Sequence, residues 1–167
     1  GVTKIRDRAF WDCKNLKKAV IPESVTDMGE YLFANCSSLT DVTFNPKITA
    51  IPYFTFGGCS SLERIEIPPT ITTIEESAFS ECSNLEYINI HKNVKRIRNF
   101  AFRWCNKLVP LHLPHTLEGV DLFIVGDPNV TDISSRTIYM HRDTPDFYPI
   151  SDYMPDVGMP YKYYSTK

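Results

Sequence analysis

The sequence predicts an α/β solenoid in a single domain spanning residues 1–167, built from stacked 23-residue units and closed by a C-terminal cap. Three observations predict it. The five cysteines, Cys13, Cys36, Cys59, Cys82 and Cys105, follow one another in steps of 23. The same step carries Phe10, Phe33, Phe56, Phe79 and Phe102, and also Leu16, Leu39, Leu62, Leu85 and Leu108, so five units run in register without an insertion. Two further columns, Ala19-Val42-Ile65-Ile88-Leu111 and Ile21-Phe44-Ile67-Ile90-Leu113, lie two residues apart, the period of a strand with one buried face. One such unit cannot bury its own apolar side. Stacked units turn each column into a continuous internal stripe.

The elements follow in chain order. Val2 and Ile5 already occupy apolar columns, so the chain starts inside a unit. With Gly rather than Met at position 1, the expectation is a natural protein that extends upstream through more repeats and an export signal. Each registered unit over residues 2–120 reads F-x-x-C-x-x-L-x-x-I-x-I-P-x-x-V-x-x-I. In the unit around Leu62 to Ile67, Ile65 and Ile67 mark a strand that Pro68 ends, because proline cannot donate to a ladder. Ile71 to Ile74 is a second short extended piece, and Ser77 to Cys82 fits one helical turn or a tight corner. The register decays after Val120. Residues 121–148 are expected to form a degenerate unit at Val130 and Ile133, a final strand at Ile138-Tyr139-Met140, and a short helix started by Thr144 and Pro145. Residues 149–167, with four tyrosines and three prolines, are expected to be irregular and packed on the last coil.

Composition narrows the function. The chain has 167 residues, 43% of them hydrophobic, and 18 Lys plus Arg balance 20 Asp plus Glu to a net charge of −2. That balance argues against a dedicated nucleic-acid binder, which carries a basic excess. No apolar run approaches the roughly 18 residues of a membrane span. An odd cysteine count excludes complete internal pairing, and one thiol per coil forms a line rather than the converging tetrad that zinc requires. Each cysteine therefore reads as a buried small hydrophobe with a weak S–H donor. No metal and no other cofactor is expected.

The residues that define the unit resemble a known family. Residues 51–74, IPYFTFGGCSSLERIEIPPTITTI, and 74–97, IEESAFSECSNLEYINIHKNVKRI, are similar to the leucine-rich repeats of the BspA-like, treponemal-type bacterial class. Leu32 and Thr55 depart from its Ala before Phe, and His91 stands where its strand-ending Pro would be. The resemblance implies a right-handed leucine-rich repeat solenoid with a parallel sheet on the concave face. It further implies an exported or surface-anchored bacterial module that recognises an extracellular protein or glycan, in adhesion, without being an enzyme.

Partner contact is expected on the outward positions of the strands, where Arg64, Glu66, Tyr87, Asn89 and His112 offer a mixed polar surface with one aromatic. Trp11, at a variable corner position, is the sixth candidate, since an exposed indole can anchor a sugar or a protein; Trp104 is expected to pack on the tyrosine-rich tail. The module is expected to be monomeric. The alternative is a structural spacer with no ligand of its own. A third reading, a metal-dependent hydrolase on His91, His112 and His115, lacks any H-E-x-x-H spacing, and neither a nucleophile elbow nor a phosphate loop is present. Residues 92–107 hold six Lys or Arg and no acid. This run is expected to pair with Glu75, Glu76, Glu81 and Glu86 one coil earlier, with Arg98 beside Glu75.

Overall fold

The computed structural model describes residues 1–108, 111–114, 116–120, 138–141 and 161–164. The strands stack in two parallel ladders, neither of them continuously hydrogen-bonded along the stack. The first is made by β2 (Lys18–Val20), β4 (Asp41–Thr43), β6 (Arg64–Ile65), β8 (Tyr87–Ile88) and β10 (Leu111–Leu113). Its pairings are in 23-residue register, Ala19 opposite Val42 and Ile65 opposite Ile88. The second ladder holds β1 (Lys4–Ile5), β3 (Asp27–Met28), β5 (Ala50–Ile51), β7 (Thr73–Ile74), β9 (Arg96–Ile97) and β11 (Gly119–Val120). There Ile5 faces Met28, Ile51 faces Ile74, and Ile97 faces both Ile74 and Val120. Strands of two or three residues alternate exposed and buried side chains, so the apolar columns turn inward as one stripe each.

At the end of the first ladder the step changes. The strand β12 (Ile138–His141) pairs with β10, Leu111 opposite Ile138, which is a step of 27 instead of 23. The expected strand at Ile138-Tyr139-Met140 is therefore present, but it is not the last. A further strand, β13 (Tyr161–Tyr164), pairs with β12 at Ile138 opposite Tyr161, so part of the segment expected to be irregular continues the sheet. A 23-residue step returns there, carried by a Tyr-Lys-Tyr-Tyr run that lacks the aliphatic signature of the other strands. The degenerate unit at Val130 and Ile133 and the helix start at Thr144 lie outside the described residues.

Of the two readings for the corner at Ser77 to Cys82, the structure takes the tight corner, and its hydrogen bonds show why no helix forms. Amides alternate between two destinations. In one corner Ala78, Ser80 and Cys82 donate back three residues, to Glu75, Ser77 and Phe79. Between them Ser77, Phe79 and Glu81 donate to Asn99, Ala101 and Arg103 of the next coil, at 3.0, 2.8 and 2.7 Å. Phe54, Phe56 and Gly58 do the same one coil earlier, and Tyr31, Phe33 and Asn35 before them. An α-helix needs every amide for its own i−4 carbonyl. Here every second one is committed to a neighbouring coil.

This alternation is set by left-handed residues at the first and fifth corner positions. Arg8, Tyr31, Phe54, Ser77 and Phe100 form one column, with φ between 50° and 60°. Asp12, Asn35, Gly58, Glu81 and Trp104 form the other, with φ between 59° and 74°. Only Gly58 adopts that conformation freely; each other side chain there costs about 1–2 kcal/mol, offset by the three inter-coil hydrogen bonds the turn permits.

The core lies between the corner and the two ladders. Phe33, Phe56, Phe79 and Phe102 are fully buried and stack coil on coil, with centroids 5.2–5.6 Å apart and planes within 14°. Phe10 joins the column at 5.5 Å but is 40% exposed, because no coil covers it among the described residues. The same end of the stack opens a hollow of about 590 Å³ lined by Val2, Ile5, Phe10, Leu16, Val25 and Phe33.

Four of the five cysteines are buried as the sequence predicts, with a direction added, whereas Cys13, in the coil at the open end of the stack, is exposed. Cys36, Cys59, Cys82 and Cys105 are buried, and each thiol donates to the carbonyl of the phenylalanine 26 residues earlier: Phe10, Phe33, Phe56 and Phe79, at 3.0–3.2 Å. All five cysteines are free, and Cys13 is exposed. Burial pushes the Cys36 thiol up to about 11 and the Cys59 and Cys82 thiols upward as well. Thiolates are the reactive species, so a thiol reagent at pH 8 should label Cys13 within minutes and the other four only on unfolding; rapid labelling of more than one cysteine would contradict the burial. The linkage has a sign. An unfolded thiol ionises near 9.0 and folded Cys36 near 11, so its contribution to stability is complete below pH 9 and is lost as pH rises toward 11.

Candidate functional site

The outward face of the first ladder is built by alternation, since the residues flanking the buried Ala19, Ile65 and Ile88 and the half-buried Val42 must point away from the core. The 23-residue register then stacks Lys18, Asp41, Arg64 and Tyr87 in one column. Lys18 pairs with Asp41 at 2.7 Å, and Arg64 places its guanidinium 4.2 Å from the centroid of the Tyr87 ring. Tyr87 remains 37% exposed, and Glu66 on the same face is exposed. The sequence candidates Arg64 and Tyr87 are thus brought into direct contact, with Glu66 on the adjoining turn. His112 is exposed on β10, two coils beyond Glu66 in its column.

Two candidates do not join this face, Asn89 against expectation and Trp11 in keeping with its corner position. Asn89 is half-buried and its amide is spent on the neighbouring coil: Ile67 N donates to Oδ1 at 2.6 Å and Nδ2 donates to Ile67 O at 3.1 Å. Trp11 is 54% exposed, but it sits in the corner of the first coil and not on the strand face. Trp104 is half-buried beneath the Arg103 guanidinium, 3.8 Å from its ring centroid; of the tail against which it was expected to pack, residues 149–160 and 165–167 lie outside the described residues.

The histidine reading changes most. His91 belongs to the column Pro22, Asn45, Pro68, His91, Pro114 that closes each strand. Its Nε2 bonds to Pro68 O at 2.8 Å, while Asn93 N donates to Nδ1 at 3.3 Å. Asn45, which sequence reasoning passed over, plays the same part: buried, it donates to Pro22 O at 2.6 Å and Val25 O at 3.0 Å, and accepts from Lys47 N at 2.7 Å. Where a coil lacks the proline, a side-chain donor reaches back to the proline carbonyl of the coil before. Among the described residues no group of three His, Cys, Asp or Glu could hold a metal ion, and His115 lies outside them.

The charges pair much as the register predicts. Arg98 meets Glu75 at 3.9 Å, Lys107 meets Glu86 at 3.3 Å, and Lys95 turns the other way to Glu118 at 3.3 Å. At the opposite end Lys4 pairs with Asp27 at 2.5 Å. All are exposed pairs, which solvent and salt screen. Among the described residues no helix is long and apolar enough to cross a membrane.

Comparison with known proteins gives these ladders a family. The BspA type leucine-rich repeat region matches residues 1–123 in six copies. A leucine-rich cell surface protein from Faecalibacterium prausnitzii is similar at 36% identity and a TM-score of 0.64, over 74% of this chain and 30% of that one. A leucine-rich repeat protein from Eubacterium ventriosum is similar at 31% identity and a TM-score of 0.65, over 72% of this chain and 33% of that one. The chain thus spans about a third of the length of either structure. A leucine-rich repeat protein of T. pallidum shares the fold at 22% identity and a TM-score of 0.55, over 75% of this chain and 67% of that one. Comparison with curated proteins finds no match. With six copies over most of its length, this chain belongs to the BspA-type leucine-rich repeat family.

Proposed function

We propose that this chain is a recognition module of a bacterial cell-surface or secreted protein, acting in adhesion by binding an extracellular protein or glycan on the first-ladder face. It acts as a monomer and carries out no catalysis. The observation that carries this reading is the Arg64–Tyr87 pair, a guanidinium held 4.2 Å over a ring that is still 37% exposed. Arginine and tyrosine dominate binding hot spots because they offer large rigid area together with donors. Glu66 supplies an acceptor beside them and His112 extends the face. Asn89 supports the patch from below by fixing Ile67 against the next coil. The cell-surface description of the Faecalibacterium protein supports the location.

A spacer reading has one observation in its favour. Lys18–Asp41, Lys107–Glu86 and Arg98–Glu75 satisfy one another across coils and leave those charges less free for a partner. An array of extracellular-matrix proteins and glycans distinguishes the two. Recognition predicts one or more bound species whose affinity drops about 30-fold in Tyr87→Ala or Arg64→Ala, the effect of a hot-spot residue. An array with no bound species favours the spacer. Binding indifferent to both substitutions moves the site off this face.

A further inference from the structure

We propose that the corner of the second and third coils is a separate binding surface, one that takes arginine side chains of a cationic segment in a partner protein. Three aromatic rings meet there. Tyr31 and Tyr53 pack edge to face at 5.1 Å between centroids, with Phe54 5.5 Å from Tyr31 and 6.1 Å from Tyr53. All three are half-buried, so each is anchored while part of it stays open to solvent.

Two features suggest that these rings are there for more than packing. Tyr31 and Phe54 stand in the left-handed column, at φ 55° and 50°, a position that Ser77 fills equally well one coil later. Among the described residues the conformation recurs in every coil and serves the corner's hydrogen bonds, so it does not itself call for an aromatic ring at these two positions. The cluster also holds a guanidinium already: Arg8 lies 4.9 Å from the Tyr31 ring centroid. The neighbouring coil supplies no second arginine, since residues 24–46 contain Asp27, Glu30 and Asp41 and no Lys or Arg.

The surrounding charge selects the ligand. Glu30 and Glu76 are exposed, one on each side of Tyr53 in its column. A hydrogen bond to Tyr31, burial, and then the Glu76 and Glu30 carboxylates hold the Tyr53 phenol above its usual range, so both carboxylates act on this ring. Ring faces flanked by carboxylates suit a flat cation that stacks and donates in a fork, which is arginine before lysine. An anionic partner would be repelled by the same pair.

The probe is a hexa-arginine peptide titrated into the whole chain and followed by the aromatic NMR signals of Tyr53 and Phe54. The expected result is a shift of both rings, an affinity at least tenfold lower in Glu30→Gln/Glu76→Gln, and an unchanged affinity in Glu23→Gln/Glu63→Gln, two exposed carboxylates outside both surfaces. Hexa-lysine should bind several-fold more weakly. Arg64→Ala should leave the hexa-arginine titration as it is, which separates this surface from the first-ladder site. Equal loss in the two double variants would reduce the effect to net charge and overturn the assignment. Unmoved rings, or hexa-lysine binding as tightly as hexa-arginine, would overturn it too.

Discussion

Phe79→Ala is expected to cost about 3–5 kcal/mol, the range for truncating a buried phenylalanine. Phe79 has zero exposure and sits between two other rings, 5.2 Å from Phe56 and 5.6 Å from Phe102. Alanine removes both stacks and opens a void that the rigid coils on either side cannot close. Urea denaturation followed by circular dichroism should show the midpoint fall in step with that loss. A loss below 1 kcal/mol would mean that the column does not bear the packing assigned to it. The same substitution at Phe10, already 40% exposed, should cost distinctly less, and the contrast tests position within the stack.

Gly29→Ala is the second large effect, with a different cause. A Cβ at Gly29 would lie 2.3 Å from Asp7 N and 2.5 Å from Arg6 C of the coil before it. Both are backbone atoms, so no rotamer change relieves the overlap and the coils must move apart. Relief breaks the bond from Gly29 N to Ile5 O, 2.8 Å, and the neighbouring contact of Glu30 N with the Asp7 carboxylate, 3.0 Å. The expected cost is about 1–3 kcal/mol, as for overpacking elsewhere. It should appear first as local release of the first coil. Hydrogen exchange should therefore accelerate at Gly29 and Glu30 while Phe79 and Cys82 stay protected. Uniform acceleration along the chain would show that the coils do not open separately.

Much of this fold is legible in the residues because its columns are linear. Cys36, Cys59, Cys82 and Cys105 fall on one line in the sequence and one line in space, and burial follows from repetition alone. Local pattern leaves the corner open between a helical turn and a tight corner because it cannot say where an amide goes. Only the neighbouring coil decides that Phe79 N bonds to Ala101 O. The strand β13 was missed because the four-residue shift between β10 and β12 breaks the register, and Tyr161–Tyr164 does not look like Ile-x-Ile. The 23-residue offset from Ile138 to Tyr161 was the signal available.

The candidate site was legible to a similar depth. Arg64 and Tyr87 are 23 residues apart, so their adjacency follows from the register, and the structure adds that the guanidinium lies over the ring. Asn89 and His91 looked available because a polar side chain beside a strand reads the same whether it faces solvent or a carbonyl. The alternation of Pro with Asn or His at the strand ends was the signal for His91, since Asn45 and His91 each stand 23 residues after a proline whose carbonyl they reach.

The alternating amides of the corner have a further consequence for how such a molecule changes over evolutionary time. Among the described residues, each of four successive corners offers the same three donors, and each finds its acceptor 22 residues further on in the next coil. A whole coil can then be inserted or deleted without altering the joint at either side, and nothing needs to be redesigned except the distance. Each coil gained would move the Arg64–Tyr87 patch about 4.8 Å along the axis relative to anything fixed at the other end. The molecule is a ruler with one graduation per coil, and the spacing between two contacts can be tuned in whole steps while each contact keeps its shape.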